Sequence, residues 1–214
     1  MDWKNINIEI KIPDKVKKFL WLVVGTVLLT NILVDVIDFF SIEIYRMFKL
    51  LLPAFAAIPA IIYYVKDGRK FGELFGGNLL KQIFLGVILG VLLLVLIWMR
   101  NGEMVLTIEA ALFSKYTWYK IYISIYYLVM VGFFEEFIYR IVIQDYFADV
   151  LGKWKIFAPA LSAVAFALCH VMGGGIGLVL HNIIWGLIWG YLRYFCKNVT
   201  YPVLAVSHGV YDYG

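Results

Sequence analysis

Apolar residues gather along this chain in long blocks separated by short polar connections. A helix crossing a bilayer needs about 20 mostly apolar residues at about 1.5 Å rise each. Seven blocks qualify, near 19–40, 47–65, 82–99, 121–143, 156–172, 176–196 and 199–214. Pro53 and Pro59 are expected to kink the second block without ending it, because neighbouring helices can re-satisfy the freed carbonyls. The fifth block is short, and Gly173-Gly174-Gly175 reads as a tight turn into the sixth. The seventh reaches Gly214 after 16 residues, about 24 Å if helical. A native chain continuing past Gly214 would complete that span and leave room for an eighth.

Composition sharpens this into a fold class. The 214 residues are 63% hydrophobic, with a mean hydropathy of +0.85, where soluble domains run nearer half apolar. The expectation is an all-α, polytopic transmembrane helix bundle of about seven spans. No linker-like run or internal repeat divides it, so residues 1–214 form a single membrane domain. The net charge of +4 comes from basic residues scattered between spans, which excludes nucleic acid as a partner. Cys169 and Cys196 fall inside apolar blocks, against a disulfide framework. No cleavable signal peptide is expected, because the block beginning near Phe19 is too long for one and lacks a small-residue cleavage site.

Lys and Arg in the connections set the orientation. With the N-terminus inside, inside segments hold five such residues before position 19, four between 66 and 81, then Lys153, Lys155, Arg193 and Lys197. Outside segments hold Arg46, Lys49, Arg100, Lys115 and Lys120. The bias of thirteen to five places the N-terminus in the cytoplasm. Residues 101–118, with Glu103 and Glu109, read as an interfacial helix on the outer side.

Against this background, a few polar residues stand out. The stretch 131–140 carries Glu135, Glu136 and Arg140 inside a span. Each intramembrane charge costs about 2.5–3.5 kcal/mol on insertion scales, so such residues are read as functional by default. Positions four apart share a helix face, so Glu136 and Arg140 should pair. Glu135, rotated by about 100°, can then face the bundle interior. A purely structural ion-pair network would use the same three residues.

His170 lies one turn after Phe166, and His208 one turn before Asp212. Taken singly, His170 reads more readily as a hydrogen-bonded core residue, His208 with Asp212 equally well as a His–Asp pair near the C-terminus, and His181, beside Asn182, as structural. Together with Glu135 they form a chemical inventory. Glu plus His can bind and deprotonate a water, a second His can donate to a developing oxyanion, and a carboxylate can orient an imidazole. That suffices to hydrolyse an amide without a serine or cysteine nucleophile.

The order Glu-Glu-x-x-x-Arg, Phe-x-x-x-His, His-x-x-x-Asp on successive spans resembles the CPBP, or Abi, family. This group joins type II CAAX prenyl endopeptidases with bacteriocin-processing and self-immunity proteins. Gly186 to Tyr191, and Asn198 to Pro202 before His208, are similar as well. The resemblance covers about 130–212 and makes 121–214 the motif-bearing helices. It implies an intramembrane glutamate endopeptidase. Glu135 and His170 would activate water, while His208 and position 212 would stabilise the oxyanion. Glu136 and Arg140, with Phe166, would support the site or help hold substrate. The well-studied prenyl proteases have Asn at the last position, whereas this chain has Asp212. An ionised Asp cannot donate a hydrogen bond, so Asp212 is expected to orient His208 or to be protonated.

The resemblance implies no cofactor. It implies a peptide or protein-tail substrate, prenylated or a leader peptide, met within membrane lipid, with a bacterial plasma membrane as the setting. Four rival readings use the same residues. Glu135, His170 and His208 could be three zinc ligands, but no His-Glu-x-x-His occurs. Ser207 or Cys169 beside a His points about 100° away on a helix, so neither forms a dyad. A transporter path through Asp35, Asp38 and Glu135 is weakened because both aspartates end the first span. A non-catalytic immunity or peptide-binding protein of the same fold is the main alternative. Gly86/Gly90 and Gly186/Gly190 allow close helix approach and say packing only.

Overall fold

The computed structural model describes residues 14–38, 50–101 and 117–214, a few side chains excepted. Every regular element among them is helical. The expected interfacial helix at 101–118 and the side chains of Asp35 and Asp38 lie outside what is described. In order the helices are α1 (Asp14–Phe19), α2 (Gly25–Asp38), α3 (Ile58–Lys66), α4 (Leu79–Asn101) and α5 (Thr117–Ile125). They continue with α6 (Gly132–Glu136), α7 (Gln144–Leu151), α8 (Ala158–Leu168), α9 (Val171–Phe195) and α10 (Tyr201–Tyr213).

Four stretches are long and apolar enough to cross a membrane: Asp14–Val34, Leu79–Ile97, Thr117–Leu168 and Gly175–Phe195. Leu50–Lys66 is a shorter apolar helix. These lengths define an all-α membrane helix bundle. The 52 residues from Thr117 to Leu168 are two arms rather than one rod. Gly152, at φ +55°, makes a turn that an L side chain would resist. Beyond it, Pro159 in the first turn and a run of alanines start α8, which packs back on α7 and on Phe137–Ile143.

Some expected boundaries move. The fourth block runs on to Leu151 instead of stopping near 143. In the second block the helix is interrupted at Ala57, because Pro59 is accommodated in the first turn of α3 rather than inside a continuous helix. The turn expected at Gly173-Gly174-Gly175 falls earlier, at Cys169 and His170. There the amides of both residues reach back three residues, to Phe166 and Ala167, and close α8. The glycines sit in the opening turns of α9, where Gly175 takes φ +64°.

Lipid tails are as apolar as leucine, so helices in a membrane associate through close packing of small residues. A methyl placed on Gly86 would come within 2.9 Å of the Val203 carbonyl, and one on Gly90 within 2.8 Å of the Ser207 carbonyl. This is how α4 lies against α10. The opposite stripe of α4, Leu80, Phe84, Leu92 and Leu96, is exposed, as a lipid-facing surface should be. Gly186 and Gly190 likewise bring α9 against Ala163 and Pro159 of α8. The tightest approach involves Gly132 and Gly209. A methyl on Gly132 would collide with the Ala205 carbonyl and the Gly209 amide, and one on Gly209 with the Leu128 carbonyl at 2.8 Å. That contact fixes α10 against the helix carrying Glu135 and Glu136.

Candidate active site

Glu135 and Glu136 end α6, a five-residue α-helical piece between two π-helical stretches, Tyr126–Val131 and Phe137–Ile143. π-bulges concentrate at functional sites because they re-aim side chains and free carbonyls. Two carbonyls of the second stretch have outside donors. Arg193 Nη1 donates to the Arg140 carbonyl at 2.6 Å, and Arg69 Nη1 to the Ile141 carbonyl at 3.2 Å. Both arginines also grip Asp145, one on each carboxylate oxygen, at 2.6 Å. This clamp holds the irregular helix in place one end away from the glutamates.

Glu136 and Arg140 are both fully buried. One Glu136 oxygen accepts from His208 Nδ1 at 2.8 Å, and the other lies 3.4 Å from Arg140 Nε. The guanidinium sits over the Phe166 ring, 4.9 Å from its centroid. The i, i+4 pairing expected from spacing is therefore present. With no exposure, this pair has no surface open to solvent or to the neighbouring cavity. The Arg140 nitrogens find no hydrogen-bond acceptor among the described residues, so the pair is ionic rather than hydrogen-bonded.

His208 is 2% exposed and fixed on several sides. Its ring stacks on Trp189, with centroids 4.2 Å apart and planes at 26°, and Phe166 meets it edge-on at 6.0 Å. Trp189 is itself held by donation from Nε1 to Ser207 Oγ at 3.1 Å. The other His208 nitrogen, Nε2, faces Asp212 Oδ2 at 3.3 Å and Glu135 Oε2 at 3.9 Å. Asp212 thus contacts His208 as its spacing suggests, but Glu136 makes the shorter bond and fixes the ring from the far side.

His170 occupies the turn between α8 and α9. A carbonyl can only accept, so the 2.9 Å contact to the Phe166 carbonyl puts a proton on Nδ1, and in the neutral ring this leaves Nε2 as an acceptor. Several bonds pin this turn. Asn31 of α2 donates to the Leu168 carbonyl at 3.1 Å, one of the orphan carbonyls at the end of α8. Tyr139 donates to Cys169 Sγ at 2.6 Å, and Ser162 Oγ to the Tyr139 carbonyl at 2.5 Å.

Glu135, His170, His208 and Asp212 all open onto one cavity of about 180 Å³, with Phe166 in its wall. Such a space holds several waters, each occupying about 30 Å³. A carboxylate and an unprotonated imidazole nitrogen sharing it can bind and deprotonate water. Glu136 and Arg140 lie behind the wall. The same cavity is lined by His181 and Asn182, read from sequence as structural; His181 Nε2 lies 3.5 Å from the Tyr211 hydroxyl. Their only sequence signal was polarity in mid-span, since no i, i+4 partner announces them. The Glu136–His208 bond had no sequence signal at all, because it joins residues 72 apart.

The family described as Rce1-like, type II CAAX prenyl endopeptidase Rce1-like, has a model that matches residues 117–214. This interval holds all three motifs and every residue of the cavity. Over that interval the match bears out the resemblance to the CPBP family. No curated protein and no solved structure matches the chain.

Proposed function

We propose that the chain is an intramembrane endopeptidase that hydrolyses a peptide bond with a water activated by Glu135 and His170. The observation that carries this reading is the convergence of Glu135 from α6, His170 from the turn between α8 and α9, and His208 from α10 on one cavity. Water bound between the Glu135 carboxylate and His170 Nε2 adds its oxygen to the scissile carbonyl carbon, and its proton passes to Glu135. The carbonyl electrons move onto oxygen, where His208 Nε2–H donates to the oxyanion. Collapse re-forms the C=O bond and breaks C–N, and Glu135 returns the proton to the leaving nitrogen. Glu136 holds His208 by Nδ1, and Arg140 compensates the buried charge of Glu136. Asp212, 3.3 Å from Nε2, orients the ring toward the cavity.

The substrate is a peptide or protein tail reaching the site from the bilayer, with prenylated tails and leader peptides as the classes to try first. The distribution of Lys and Arg supports an N-terminus in the cytoplasm. The test is cleavage by purified protein, in detergent and in liposomes, of a library containing prenylated and unprenylated peptides. Wild type should cleave at a defined bond and Glu135→Gln should not, while both bind the peptide. Equal binding with no cleavage by wild type would favour the non-catalytic immunity or peptide-binding reading.

A further inference from the structure

The cavity is rich in acceptors and short of donors. Glu135 and Asp212 accept when ionised, and His170 presents its bare Nε2 because Nδ1 is committed to the Phe166 carbonyl. His208 Nε2 already faces two carboxylates, and Trp189 Nε1 is committed to Ser207. Yet addition of water to an amide needs donors aimed where negative charge develops on the carbonyl oxygen. One group in the wall answers that need. Asn182 lines the cavity from α9, and its Nδ2 is buried with no hydrogen-bond acceptor among the described residues. A buried amide N–H without a partner is costly, and it persists most readily where a ligand supplies the missing acceptor.

We propose that Asn182 Nδ2 donates to the carbonyl oxygen of the scissile bond as that oxygen becomes an oxyanion. With His208 it forms the second half of an oxyanion site that Asp212, as a carboxylate, cannot complete. This rests on the proposed hydrolytic function. In the addition step Asn182 neither gains nor loses a proton. Its hydrogen bond shortens as the C=O electrons move onto oxygen, and relaxes when the C–N bond breaks and Glu135 delivers its proton to the amine. Tyr126 and Tyr127, in the same wall, have interactions of their own, and the Tyr211 hydroxyl lies 3.5 Å from His181 Nε2. That leaves the Asn182 amide as the donor with nothing else to do.

The inference is tested by steady-state kinetics of the full-length protein on the peptide wild type cleaves. Asn182→Ala and the near-isosteric Asn182→Asp should each lower kcat by about 10²–10³-fold with KM within about threefold. The Asp variant keeps shape and polarity, so it serves if the Ala variant folds poorly. In the double variant Asn182→Ala/Asp212→Asn, the new amide at 212 should recover at least tenfold of the lost kcat. A merely structural Asn182 would show no such recovery. Glu135→Gln is run beside them. If it is inactive while both Asn182 variants keep kcat within threefold, or if the double variant recovers nothing, the Asn182 assignment falls and the hydrolytic reading stands. If Glu135→Gln turns over like wild type, the hydrolytic reading falls and takes the assignment with it.

Discussion

Two carboxylate clusters are built on the same irregular helix, the second completed by Asp212 of α10, and they differ in how completely their atoms are matched. At Asp145 each oxygen has its own guanidinium at 2.6 Å, and each arginine also holds a backbone carbonyl. At Glu135, Glu136 and Asp212, one imidazole is shared among three carboxylates at 2.8 to 3.9 Å, and the buried Arg140 and Asn182 side-chain nitrogens have no hydrogen-bond acceptor among the described residues. Charge-assisted, short and saturated bonding of the first kind holds structure. Of these unsaturated groups, Asn182 lines the open cavity and is in position to meet a substrate, while Arg140 lies behind its wall. Charge in a membrane span therefore does not by itself mark chemistry; unmet hydrogen-bonding capacity facing a cavity is the better sign.

The largest expected effect comes from the open cluster. Glu135→Gln should lower turnover by about 10³-fold or more, because an amide cannot take the proton from water, while unfolding in a denaturant titration stays close to wild type. Glu136→Ala should do the opposite kind of damage. It strands a fully buried Arg140, and removing one partner of a buried ion pair costs about 3–5 kcal/mol, read as a large drop in the unfolding midpoint. Equal stability losses in the two variants would erase the distinction between a reacting and a supporting glutamate.

A substitution at the helix contact probes how the open cluster is assembled. Gly209→Ala places a methyl within 2.8 Å of the Leu128 carbonyl, so α10 must shift and carry His208 away from Glu136. Activity should fall by about 10²-fold, the scale on which a misplacement of about 1 Å is felt, and cross-linking between cysteines placed on α6 and α10 should slow. Undiminished activity would mean that the glycine contact does not set the register.

Smaller effects test the closed cluster. Asp145→Asn weakens two short ion pairs whose members are 23–32% exposed. It should lower stability by about 1 kcal/mol each while kcat on the same peptide stays within about threefold. A hundredfold loss of kcat would show that the clamp takes part in the chemistry. The smallest change is expected from strong chelators. If water is activated by Glu135 and His170 alone, dialysis should leave the rate unaltered, and loss of stoichiometric zinc together with activity would move the enzyme to the metalloprotease class.

The chain alone determined what depends on local spacing. Long apolar blocks announced the membrane bundle, the i, i+4 rule paired Glu136 with Arg140 and brought Asp212 to His208, and glycines four apart marked close helix contacts. The order of the three motifs carried the family resemblance. Each of these features repeats with the helical period, so it can be read from a few consecutive residues. Tertiary structure decided what depends on how helices cross. The bond from Glu136 to His208, the stacking of His208 on Trp189, and the presence of Asn182 in the cavity wall join separate helices. Their geometry is set by backbone approach at Gly132 and Gly209 and by the π stretches around α6, which shift side-chain register in a way helical periodicity does not encode. The turn at Cys169–His170 was likewise misplaced from sequence. A run of three glycines is the stronger local turn signal, but the hydrogen bonds that close α8 fall before it.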